Sequence, residues 1–119
     1  MIVNSTVEKK AKVFYKDIAG KGSGDYIVGR IHGFCGLDPM CALALWRAIP
    51  EAIIIRDEVK KQALLIAEQF PDSLIAAAVV YIMSSPKECS LQESKIRKLI
   101  ELFPESWELI SDEPELLRF

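Results

Sequence analysis

The sequence predicts an all-α fold: a single domain, residues 1–119, of six or seven short helices joined by proline-initiated corners, arranged as an irregular bundle or a short array of helical hairpins. Three observations carry this. Apolar residues recur at helical spacing, as at Val7, Ala11, Phe14, Tyr15 and Ile18. Proline stands where those stripes restart, at Pro39, Pro50, Pro71, Pro104 and Pro114, and proline at a first helical position forgoes an amide hydrogen that has no partner there anyway. The one alternating stretch, Ile27, Gly29 and Ile31, finds no second strand to pair with.

Taken in order, Ser5-Thr6-Val7-Glu8 has capping-box spacing and places a first amphipathic helix in residues 1–20, with Lys9, Lys12 and Lys16 on its polar face and Gly20 as its left-handed stop. Residues 20–25, GKGSGD, read as a flexible connector. Tyr26 to Phe34 reads as helix, with Asp25 as cap and Gly33 as stop. From Leu37 to the end lies the helical core. Asp38-Pro39 opens a helix to Ile49, Pro50 opens one that runs to Phe70, and Pro71 opens the apolar LIAAAVVYIM helix ending near Ser84. A further helix starts at one of two capping boxes, Ser85–Glu88 or Ser90–Glu93, and buries Ile96, Leu99, Ile100 and Phe103. Pro104 opens a short helix, and Pro114 a last turn.

Nearly the same letters occur twice, FPDS at 70–73 and FPES at 103–106. Each reads as a corner: Phe closes one buried stripe, Pro begins the next helix, the acid suits its N-terminal dipole, and a large apolar residue returns to the core. An offset of 33 is the length class of helical-hairpin repeats. Repeat ancestry and two similar corners in an irregular bundle both account for it.

Half of the 119 residues are apolar and 27% are charged, the balance of a globular rather than a disordered chain. The start carries no pattern of a secretory leader, and the ten-residue apolar run Leu74–Met83 falls short of the roughly twenty residues a membrane span needs. Three cysteines without such a leader fit a reducing compartment, so a cytoplasmic location is expected. Net charge is −2, which gives no case for a polyanionic partner. Its distribution is uneven: residues 1–30 carry six Lys/Arg against three Asp/Glu, whereas residues 100–119 carry one Arg against six acids. Opposed ends of this kind can pair within one molecule or between two.

Chemistry-bearing residues are sparse. His32, Cys35, Cys41 and Cys89 match the ligand count of a Cys3His zinc site, but their spacing is not that of a zinc knuckle, and packed thiols are the simpler account. At i and i+3 on a helix, His32 and Cys35 could form a base and nucleophile, though no orienting third group accompanies them. GKGSGD lacks the Walker spacing, and the adjacent acids Asp57-Glu58 and Asp112-Glu113 diverge on a helix. No cofactor is therefore expected. Trp107, Leu116, Leu117 and Phe119 are the candidate partner-binding residues, being large apolar groups near a terminus that must dock on something. The expected function is a non-enzymatic protein-interaction module, a small adaptor, inhibitor or regulator, with a homodimer as one form. The alternatives are a cysteine- or metal-dependent enzyme or sensor at His32, Cys35 and Cys41, and a nucleic-acid-binding regulator using the Lys9, Lys12, Lys16 face.

Overall fold

In the computed structural model, which describes residues 2–20, 24–50, 54–85, 89–116 and 119, the described residues form six α-helices and two 3-10 helices and no strand. The helices are α1 (Ser5–Ile18), α2 (Gly24–Cys35), α3 (Pro39–Ala48), α4 (Ile55–Gln69), α5 (Leu74–Met83) and α6 (Cys89–Leu102); the 3-10 helices span Pro104–Leu109 and Pro114–Leu116. The all-α expectation holds.

Local chemistry sets most of the ends. Asp38 caps α3 by accepting from Met40 N–H at 2.9 Å, with Pro39 at the first helical position as expected. At α1 the cap is Asn4, whose side-chain oxygen accepts from Val7 N–H at 2.9 Å, so Ser5 is the first helical residue instead of the cap. Glu8 pairs with Lys12 at 3.0 Å instead of reaching back. Gly33 lies inside α2, which ends at Gly36; there φ is +54°, a backbone geometry that favours glycine. Pro50 does not open α4. That helix begins at Ile55, and Arg56 folds back over the Trp46 ring, 3.4 Å from its centroid, making a wide joint. Likewise α6 runs from Cys89, so Ser90 lies inside it and is not its cap; the Ser85 box falls on residues 86–88, which lie outside the described residues, as do 21–23 of the connector.

The two FPxS corners share one backbone geometry. Phe70 has φ −123°, ψ 69° and Phe103 φ −133°, ψ 70°. Each donates its amide to the carbonyl four residues back, Ile66 or Leu99, and each accepts from the serine three residues on, Ser73 or Ser106, at 3.0 Å. Neither Phe closes a buried stripe as the sequence suggests: they are 44% and 42% exposed. At those dihedrals the chain has left the helix, so each ring swings off the stripe that continued helical geometry would give it. The corners then diverge. Ser73 caps α5 by accepting from Ala76 N–H at 3.1 Å, so α5 starts after Pro71 and Asp72 and not at the proline, whereas Ser106 lies inside the 3-10 helix that Pro104 opens and caps nothing. Ser73→Ala is therefore expected to destabilise by about 1 kcal/mol, and Ser106→Ala by a few tenths at most. Urea unfolding of the pair checks this; equal losses would mean that Ser73 is not the cap.

The helices pack as a stepwise array measuring 45 × 28 × 24 Å. At one end α3 contacts α1, α2, α4 and α5; α5 in turn carries α6 at the other end. The core runs through all of them, from Ala11 and Ile18 of α1 and Ile31 and Cys35 of α2 to Ile96 and Leu99 of α6. α5 is buried along its length except at Ile75, as its unbroken apolar sequence demands. Among the described residues no helix is long and apolar enough to cross a membrane.

Candidate interaction surface

The residues singled out for chemistry do not converge. Among the described residues no group of three His, Cys, Asp or Glu side chains could hold a metal ion. Cys89, on α6, hydrogen-bonds through its thiol to the Ser85 carbonyl at 3.1 Å, and Cys41 directs its thiol at Asp38, 3.6 Å away. His32 hydrogen-bonds to the Gln62 side-chain amide across the α2–α4 contact. Cys35 is 1% exposed, and burial, with smaller contributions from neighbouring Cys41 and Asp38, pushes its thiol up to about 12. Cys41 is also raised, by burial and by the charge of Asp38. A nucleophilic thiol requires the opposite shift, so Cys35 is packed and protonated rather than activated.

The C-terminal tail docks on its own domain. Leu116 is completely buried, so it is a core residue and not a partner contact. Phe119 meets Tyr81 edge-on with ring centroids 5.3 Å apart and lies beneath the Arg97 guanidinium at 5.0 Å. Leu117 lies outside the described residues. Trp107 is half-buried against the core.

A hydrogen bond ties the first and last parts of the described chain together, and the acid that accepts it pairs with Arg47 of α3. Glu113, nearly buried, accepts from Arg47 Nη2 at 2.8 Å and from Ile2 N–H at 3.1 Å. This contact borders a cleft of about 360 Å³ between α1, α3 and residues 112–113. The cleft's lining includes Lys12, Glu8, Arg47 and Glu113, and these satisfy one another. The Lys9, Lys12, Lys16 face is solvated, with Lys12 held by Glu8.

The open surface lies at the other end of the array. Ile96 and Leu99 are buried on the α5 side of α6. At i, i+4, i+7 and i+11, Leu91, Lys95, Lys98 and Leu102 form a second stripe, about a quarter of a turn away around the helix. Leu91 is 74% and Leu102 60% exposed, and Lys95 and Lys98 form no ion pair among the described residues. The other flank of α6 is occupied: Arg97 pairs with Glu93 at 3.2 Å and carries Phe119. Past the helix Phe103 and Leu109 are exposed, with the half-buried Trp107 between them in sequence. Glu105 and Glu108 are exposed on one edge of this 3-10 helix, where residues three apart align.

Of the sequence candidates among the described residues, only Trp107 stands in this surface. Leu91 and Leu102 were missed, although their positions off the Ile96, Leu99 stripe could have been read from helical periodicity alone. The surface and fold define a class, a small all-α domain with one open flank on its terminal α-helix. Comparison with protein-family models, curated proteins and solved structures returns no match.

Proposed function

We propose that the protein is a non-enzymatic, cytoplasmic interaction module, a small adaptor or regulator that docks a protein partner on the open flank of α6 and the corner that follows it. One observation carries the reading. Two leucines, Leu91 and Leu102, stand exposed at the ends of a single helical stripe, with two lysines between them that no described acid engages. Apolar surface aligned along one helix face is the form in which helices are recognised by partners. Cys35 is buried with its thiol raised to about 12, which argues against an activated nucleophile there.

A photo-crosslinking residue placed at position 102 is expected to form protein adducts in cells, and one at the exposed Val13 of α1 to form far fewer. Leu91→Asp should abolish the adducts at 102 without unfolding the domain. Equal adduct yields at 13 and 102, or indifference to Leu91→Asp, would remove the proposal.

A further inference from the structure

We infer that the occupant of this face is a second copy of the same chain, related by a two-fold axis near the corner residues Leu102 and Phe103. The inference rests on the interaction reading above and names its partner. It starts from the arrangement of charge on either side of the corner. On one side α6 carries the half-buried Lys95 and the exposed Lys98; on the other the 3-10 helix carries the exposed Glu105 and Glu108. None of the four forms an ion pair among the described residues. Measured along the chain from the corner, the lysine pair is centred about 9 Å away at α-helical rise, and the glutamate pair about 8 Å away at 3-10 rise.

A two-fold axis at the midpoint exchanges the two arms, so the lysines of each copy meet the glutamates of the other while Leu102 of each copy meets Phe103 of the other. Such an isologous contact uses one patch twice and closes without exposing a further copy of itself. Pairing through α6 alone does not achieve this. Set antiparallel with Leu91 against the other copy's Leu102, α6 would bring Lys95 against Lys98, and like charges repel. The acidic arm is therefore part of the interface. It also accounts for the excess of acids after residue 100 that the internal contacts leave over, since Arg47 already engages Glu113 and Glu115, at 2.8 and 3.5 Å.

From Leu91 to Leu109 the path along the chain is about 30 Å at these rises, and a patch one helix wide along it is well below a standard stable interface, so a weak, micromolar dimer is expected. Sedimentation velocity of the full chain from about 5 µM to about 500 µM spans that range. The weight-average mass is expected to rise towards twice the chain mass with concentration, and to fall when salt is added.

The variants are Lys95→Glu/Lys98→Glu and Glu105→Lys/Glu108→Lys; Lys98, Glu105 and Glu108 are exposed and Lys95 is half-buried, so circular dichroism is recorded to check that each variant is folded. Each alone should weaken self-association at least tenfold. An equimolar mixture of the two should recover it, because an all-acidic patch then faces an all-basic one. A wild type that stays monomeric throughout overturns the inference, as does a mixture no more associated than either variant alone. The two levels separate cleanly. A monomer whose crosslinks at 102 still depend on Leu91 removes the second copy and leaves the interaction module; a monomer whose crosslinks do not removes both.

Discussion

Glu113→Ala is expected to lower stability by about 2 kcal/mol, a fall in Tm of about 8 °C for a domain of this size. The carboxylate is nearly buried and serves two donors at once, Arg47 Nη2 at 2.8 Å and Ile2 N–H at 3.1 Å. Removing it leaves the Ile2 amide buried without an acceptor, the more costly half of a broken hydrogen bond. Glu113→Gln should lose most of the same stability, because both partners are donors and one of them would confront the amide NH2 of the new side chain. Glu115, 3.5 Å from Arg47 and largely solvated, provides the contrast: Glu115→Gln should change stability by less than about 0.5 kcal/mol. Thermal unfolding of the three variants checks the ordering, and a Glu113→Gln variant as stable as wild type would show that two accepting oxygens are not needed there.

Ala77→Leu is expected to be worse, at about 3 kcal/mol and about 12 °C in Tm. Ala76, Ala77 and Ala78 are at most 1% exposed, and α3, α4 and α6 all pack against the helix that carries them. Ala77 is fully buried in a close-packed core, so three extra carbons there push a neighbouring helix away at the expense of its own contacts. With total stability of small domains near 5–15 kcal/mol, this is a large fraction. Chemical denaturation measures it directly. An unchanged midpoint would mean that α5 is not enclosed on all sides.

These two sites differ in how far the sequence announces them. The burial of α5 is legible from LIAAAVVYIM, since no face of that helix carries a polar residue to turn towards water. Asp38-Pro39 is equally legible because a cap is decided within four residues. Where two local signals compete the sequence is less decisive: Asn4 caps α1 in place of Ser5, and Ser73 caps α5 two residues beyond the proline that announces it. The Glu113 contact is not legible at all, because its partners lie 66 and 111 positions away in the chain. The same limit explains Leu116, which composition places at a free tail and tertiary packing places in the core. For the candidate surface, Trp107 was visible as an aromatic residue at a corner. The α6 stripe was visible only to a count that separates the residues facing α5 from those beside them.

The stepwise packing of the helices has a kinetic consequence. Most contacting elements are near neighbours in sequence, from α3 on α4 to α5 on α6, and folds dominated by such short-range contacts assemble quickly. The bond from Ile2 to Glu113 spans far more of the chain, joining residues 111 apart. Closing a loop of that size in a disordered chain forfeits about 4 kcal/mol of entropy, so the bond forms once the helices between have already brought its partners close. It acts as a clasp rather than a nucleus, slowing the escape of a finished domain while leaving the speed of its assembly untouched.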